Sequence, residues 1–391
     1  MEVRKKIHAD IERAWGTGEL SVRSVDAVED RLGMRQCVAS EDAIRNYCNG
    51  IGDVNPIYRS VDYARNSFHG CLIAPPHFIT AIAFQSELLK EPIDCITSLL
   101  FGGSEVEWFR PIRAGDSFTV ISQPGQVTDI SKNDTELRFS AAGRTILKNQ
   151  HDEVVAISTL NLILFADPNS AGGKKAEAKN VRKLTDPRVW STHEVEVCYQ
   201  QIEQEEIRGA KPRYWEDVEV GDQLPSTQHF FTSEQAISYF AGIAWFEDWR
   251  FRMLESKLGM ATVFKMKPDP QTGIPELADP WWHIFDHVAQ REGFDRAFCP
   301  GKLMEAWLGH LVTNWMGDSG FLKKMKCQFR ALLFNGSKVI CRGEVLRKYQ
   351  ENGEFLVDLK LTLEDHEGVK SIPEGFATVA LPARNEAFLS C

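Results

Sequence analysis

Apolar and polar residues alternate in two long blocks of this chain, and ahead of each block lies a stretch whose apolar residues return every three or four positions. Alternation is the signature of a strand with one buried face, and the three-to-four spacing is that of a helix with an apolar stripe. In the first block the spacing predicts strands over Glu105–Arg110, Ser117–Ile121, Glu136–Ser140 and Val154–Phe165. In the second it predicts Met325–Arg330, Lys338–Val345, Phe355–Leu363 and Ala377–Leu381. Long apolar helices are expected over Phe78–Leu89 and Leu303–Met316, just before each block. Earlier still, Ser40-Glu41-Asp42 and Thr232-Ser233-Glu234 are helix starts, because a hydroxyl followed by acids satisfies and complements the free N–H groups of a first turn. The order of helix start, apolar helix and alternating strands therefore runs twice. It implies an α+β architecture in which an antiparallel sheet with one wet face wraps a helix, once per half.

A small, polar, Gly- and Pro-punctuated stretch at residues 166–190 reads as a linker between the halves. The organisation expected is a first unit over residues 1–165, a connecting segment over 166–204 and a second unit over 205–391. Each half also carries a version of one phrase. The first is Gly52-Asp53-Val54-Asn55-Pro56-Ile57-Tyr58, with Ala64 six residues on and Pro76 twelve beyond that. The second is Trp281-Trp282-His283, with Ala289 six residues on and Gly301 twelve beyond that. Tyr58 thus corresponds to His283, and only the second copy holds an imidazole.

Composition narrows the function classes. At 391 residues, 43% hydrophobic and 26% charged, the chain is an ordinary globular one with length for two or three domains. A net charge of -10 argues against a broad basic face for nucleic acid. The nine cysteines are scattered without a CxxC pair, which, with no secretory leader in view, suggests free thiols and a cytoplasmic location. No apolar run approaches the length of a membrane span. P-loop, GxGxxG and GxSxG signatures are missing too, so nucleotide-binding and serine-hydrolase readings have no footing.

Gly52-Asp53-Val54-Asn55-Pro56-Ile57 with Ala64 downstream resembles the hydratase motif of MaoC-like acyl dehydratases, and Arg213-Tyr214-Trp215-Glu216-Asp217-Val218 resembles the segment that opens such a domain. The resemblance covers roughly residues 10–165 and 205–383. It implies a double hot-dog fold and reversible addition of water to a 2-enoyl thioester carried on CoA or a carrier protein, with no prosthetic cofactor and no metal. In that chemistry an aspartate and a histidine hold one water, and a backbone N–H polarises the thioester carbonyl. The family pattern ends in histidine where this chain has Tyr58, and a phenol with a pKa near 10 is a poor base. The resemblance therefore assigns a non-catalytic, pocket-shaping part to the first copy, with Asp53, Asn55 and Tyr58 near substrate. It gives the working site to His283, with the Gly301 N–H as oxyanion donor. Placing the carboxylate requires an insertion over about residues 249–280; Asp248 is then first candidate, Glu247 second and Asp279 third. Trp281 and Trp282 adjoin His283 and could line an acyl pocket. Lys302, Lys323, Lys324 and Arg330 could meet the phosphates of CoA, and two chains could pair as a homodimer.

Other readings stay open at this level. Asp53 and Asn55 could simply brace a turn. His283 and His287, four apart with Asp286 between, loosely resemble an inverted zinc-protease motif and would make a metal-dependent hydrolase. A catalytically silent acyl-thioester-binding subunit, or a hot-dog thioesterase, would keep the fold without the water clamp.

Overall fold

A computed structural model describes residues 2–18, 20–24, 38–83, 95–168, 188–244, 267–268, 273, 275–276 and 280–384 of the chain. Its main feature is one ten-stranded antiparallel sheet. The first half contributes β1 (Ser21–Ser24), β2 (Ile96–Trp108), β3 (Phe118–Asp129), β4 (Leu137–Asn149) and β5 (Val154–Ala166). The second contributes β6 (Thr227–Phe231), β9 (Phe321–Gln328), β10 (Ser337–Glu351), β11 (Glu354–Asp365) and β12 (Lys370–Ala380), while β7 (Lys267–Pro268) and β8 (Pro275–Glu276) form a separate ribbon. The spatial order is β1-β3-β4-β5-β2-β9-β12-β11-β10-β6. Read inward from either edge, the two halves repeat the same sequence of neighbours. The fold is the expected α+β double hot-dog.

The halves meet where β2 pairs antiparallel with β9, from Gly103 opposite Gln328 to Glu107 opposite Lys324. A β-carbon on Gly103 would lie 2.7 Å from the Cys327 carbonyl oxygen, so glycine permits this close approach. Lys324 bridges Glu105 and Glu107 across the seam. Being partly exposed, these ion pairs add little beside the backbone ladder and the shared core.

Strand cores coincide with the alternating segments, but β2 starts well before Glu105. The pair Gly102-Gly103 interrupts its pattern, and the ladder with β5 shifts register between Phe101 and Gly103. The short edge strands β1 and β6 carry no long alternation and were not legible as strands. Most of the expected linker, residues 169–187, lies outside the described residues, as does the expected helix beyond Ala83.

The helix Gly301–Met316 is buried from Lys302 to Met316, which matches a helix apolar nearly all round. Its first-half counterpart begins as the turn Pro76–Phe78 and continues as Ile79–Ala83. Side chains of both meet in one large core, where the Trp307 indole N–H donates to the Ile51 carbonyl at 3.1 Å. A helix at the start of the chain, Glu2–Trp15, packs Ile7, Ile11 and Trp15 into a smaller cluster with Leu137, Phe139 and Leu162.

The capped helices Glu41–Ile51 and Ser233–Gly242, one from each half, touch backbone to backbone. Ser40 and Thr232 accept the N–H groups of Ala43 and Gln235, as the sequence suggests. At the contact, a β-carbon on Gly242 would stand 2.7 Å from the Asn46 carbonyl oxygen, and one on Gly50 would stand 2.9 Å from that of Ser238. Backbone cannot yield as a flexible side chain can. Gly242→Ala is therefore expected to destabilise the protein by about 1–3 kcal/mol, the usual range for overpacking. A urea midpoint unchanged from the parent protein would refute this.

Candidate active site

In the first copy the chain leaves its helix through Gly52, whose φ of 76° is the left-handed value that favours glycine. Asp53 Oδ1 then accepts the Asn55 N–H at 2.9 Å, and Asn55 Oδ1 accepts the Ile57 N–H at 3.2 Å. These side-chain turns set the short helix Pro56–Tyr58, and Ser60 caps the next one, Val61–Arg65. Tyr58 is buried with its hydroxyl bonded to Thr313, and burial raises its phenol further from any use as a base.

The other oxygen of Asp53 faces the second half. It lies 3.1 Å from Nδ1 of His310, a buried histidine on the helix Gly301–Met316. His310 Nε2 meets Glu205, which also accepts from the Asn314 amide. Burial alone would lower the pKa of this ring, but Asp53 and then Glu205 outweigh it and raise the value to about 10. His310 is thus a buried imidazolium held by two carboxylates from different parts of the chain. Beside it, His229 stacks on Trp307 at 4.6 Å, and burial followed by the His310 charge keeps that ring neutral.

The second copy repeats the local shape. Trp281–His283 forms the short helix corresponding to Pro56–Tyr58, and Asp286–Arg291 the one corresponding to Val61–Arg65. Ser233 Oγ donates to the Ile284 carbonyl at 2.6 Å, and Asp286 accepts the Ala297 N–H, so the turn is anchored at both ends. His283 Nδ1 lies 2.6 Å from the Phe298 carbonyl oxygen. A carbonyl can only accept, so Nδ1 carries the proton and Nε2 is left as the basic nitrogen. The ring packs on Phe298 at 4.6 Å and on Phe240 at 5.6 Å. Part of the residue's surface remains accessible. Even so, burial brings its pKa down to about 3 against the opposing Phe298 carbonyl.

Gly301 opens its helix, so its N–H belongs to the first turn and has no partner in the helical ladder. It points from the positive end of the helix. A β-carbon there would stand 3.4 Å from Phe101 and 3.5 Å from Phe329, in ordinary van der Waals contact. The matching position in the first half is Pro76, which has no N–H at all. The first copy therefore lacks both an imidazole base and an amide donor, and the second has both.

The remaining candidates divide. Asp248, Glu247 and Asp279 lie outside the described residues. Trp282 is buried in an aromatic cluster with Phe294, Phe298 and Phe334, and Trp281 stacks on Phe285. His283 and His287 do not share one helical face, since His283 ends its turn and exposed His287 sits in the next helix. The basic residues named for the CoA phosphates have protein partners of their own. Lys302 is buried against Glu305, Lys323 pairs with Glu354, Lys324 with Glu105 and Glu107, and Arg330 bonds Gln328. Sequence reasoning missed His310, Glu205 and Glu305. The available signal was a histidine and a glutamate inside an otherwise apolar helix, where a charge survives only with a partner.

The model of a FAS1-like, dehydratase domain region matches residues 31–158. A UPF0336 protein of Streptomyces griseus is 32% identical over 98 residues, 24% of this chain. The chain spans 65% of that relative's length. A second UPF0336 protein, from Parafrankia sp., is 30% identical over 128 residues, covering 31% of this chain and 79% of the relative. The chain belongs to the UPF0336 family. Among solved structures, this UPF0336 protein is similar to one described as a MaoC-like dehydratase, with 15% identity, a TM-score of 0.63 and coverage of 95% of this chain and 100% of the other. It is also similar to a conserved hypothetical protein of Mycobacterium tuberculosis described as having a double hotdog fold, at 12% identity and a TM-score of 0.53, covering 93% and 96%. The shared feature is the fold.

The clamp of this UPF0336 protein gives a stability test. His310 has a folded pKa near 10, above the ordinary value of 6.5. Its contribution is therefore complete below about pH 6.5 and is lost as pH rises through 10. Asp53→Asn should cost about 3–5 kcal/mol at neutral pH, as breaking a buried ion pair does, and should flatten the fall in melting temperature between pH 7 and 10. An equally steep fall in the variant would show that the clamp does not set it.

Proposed function

We propose that this protein is a hydro-lyase that reversibly hydrates a 2-enoyl thioester, or dehydrates the 3-hydroxyacyl thioester, at the second copy of its motif. The observation that carries this reading is that His283, oriented by the Phe298 carbonyl so that Nε2 is its basic nitrogen, and the helix N-terminal N–H of Gly301 stand at corresponding positions of the second copy. Their equivalents in the first copy are Tyr58 and Pro76.

In the hydration direction, His283 Nε2 takes a proton from water as its oxygen adds to the β-carbon. The Gly301 N–H stabilises the negative charge that grows on the thioester oxygen, an interaction of about 2.7–4 kcal/mol where measured for such donors. The proton then passes to the α-carbon. The depressed pKa of His283 keeps the ring neutral and ready to accept, but it makes the imidazolium costly to form. A carboxylate beside the ring would offset that cost, and Asp248 is the first candidate, ahead of Glu247. Water is the co-substrate and the acyl group arrives on CoA or a carrier-protein arm, so no prosthetic group is required. Trp281 and Trp282 are placed by this reading at the acyl side of the site.

Turnover of crotonyl-CoA tests the assignment. His283→Ala should lose about 100-fold or more of the hydration rate with the fold intact, the scale of a general base, whereas Tyr58→Phe should change it little. Full activity in His283→Ala would overturn the reading, and an equal loss in Tyr58→Phe would move the site to the first copy. Hydrolysis of the thioester without hydration would identify a thioesterase instead.

A further inference from the structure

A cavity of about 40 Å³ lies against the first copy of the motif, with Tyr58 and Pro76, the counterparts of His283 and Gly301, in its wall. Another side of it is the end of the second-half helix, through Thr313 and Met316, with Asp318 just beyond. Met316 closes that 16-residue helix, so at a rise of about 1.5 Å per residue the cavity stands roughly 22 Å along it from Gly301. Ile73, Trp108, Phe321 and Leu322 supply apolar walls.

The polar groups left over at this helix end are acceptors. Asp318 is 8% exposed; its Oδ2 accepts the Tyr63 hydroxyl at 2.6 Å, whereas its Oδ1 has no hydrogen-bond partner. A buried oxygen is costly in that state, and something that donates to it relieves the cost. Burial raises the Asp318 carboxyl above its usual range against the Tyr63 hydrogen bond, and Asp318 forms no ion pair among the described residues. His69, also in the wall, has Nε2 3.0 Å from the Asp318 carbonyl oxygen, so that nitrogen carries the proton and Nδ1 is the acceptor. Burial lowers the pKa of this ring and favours its neutral form. The negative end of the helix macrodipole adds to the same bias. The Tyr58 hydroxyl is spent on Thr313, and the Thr313 hydroxyl on the His310 carbonyl. Arg110 lines the cavity too, but it pairs with Glu153 at 2.9 Å.

We propose that this cavity is a second ligand site, separate from His283 and Gly301, that takes the ammonium end of a short primary alkylamine. The ammonium donates to Asp318 Oδ1 and His69 Nδ1, and the bond to the carboxylate is stronger than one a neutral hydroxyl makes. The apolar walls cover the alkyl part, which favours an organic cation over a hydrated metal ion. The volume is that of about three waters, enough for the nitrogen and a short chain.

Calorimetry of the full chain with propylammonium chloride, propan-1-ol and sodium propionate, at matched ionic strength, tests the proposal without reference to hydratase activity. Propylammonium should bind saturably and about 10-fold or more tighter than propan-1-ol, the scale of one charge-assisted hydrogen bond. The preference should fall toward unity in Asp318→Asn, which keeps the shape and the bond from Tyr63. It should also shrink in His69→Gln, which retains a donor for the Asp318 carbonyl and removes the Nδ1 acceptor; this variant decides should Asp318→Asn not fold. In His283→Ala it should be unchanged. Propan-1-ol or propionate binding as tightly as propylammonium would overturn the proposal and mark the space as a plain apolar or acyl pocket. So would the lack of saturable propylammonium binding, or a preference that both Asp318→Asn and His69→Gln leave intact.

Discussion

A buried imidazolium between two carboxylates fastens the two halves of this protein together. His310 sits inside a buried, mostly apolar helix, and it reaches Asp53 in the first half and Glu205 at the start of the second. Charge in such a setting is tolerated only when paired and hydrogen-bonded on more than one side. That demand fixes the helix Gly301–Met316 against the first motif, with Trp307 donating to Ile51 as a further tie. The position of the helix N-terminus, where Gly301 and Lys302 stand, follows from this packing together with the β2–β9 seam.

The same contact explains how two similar copies come to differ. In the first, Asp53 has one oxygen in its own turn and the other on His310, so both serve structure. Tyr58 fills the place of an imidazole with a buried phenol, and Pro76 removes the amide hydrogen where a donor would be needed. In the second copy, the turn is anchored by Ser233 and Asp286, and a histidine is aimed by the Phe298 carbonyl. One copy ties its polar groups into structure, and on the proposed reading the other supplies the groups that move a proton.

Lys302 and His77 occupy matching positions, each directly after the residue that closes the twelve-residue spacing, and both approach Glu305. The approach is possible because Gly309 leaves room, since a β-carbon there would lie 2.3 Å from His77 Nδ1. Polar groups at the junction of the copies are therefore packed as tightly as the apolar core around them.

Much of the fold was legible in the residues because it obeys local rules. Alternation placed the long strands, hydroxyl caps placed the starts of two helices, and Asp53 and Asn55 announced a turn by side chains that bond their own backbone. The shared spacing to Pro76 and Gly301 by itself aligns Tyr58 with His283. Edge strands β1 and β6 were illegible because short segments take their conformation from the neighbour they pair with. The early part of β2 was hidden by a glycine bulge. No local pattern joins Asp53 to His310 and Glu205, or His77 to Glu305. Such pairings depend on burial and charge balance among groups far apart in the chain, and those quantities exist only once the halves have packed.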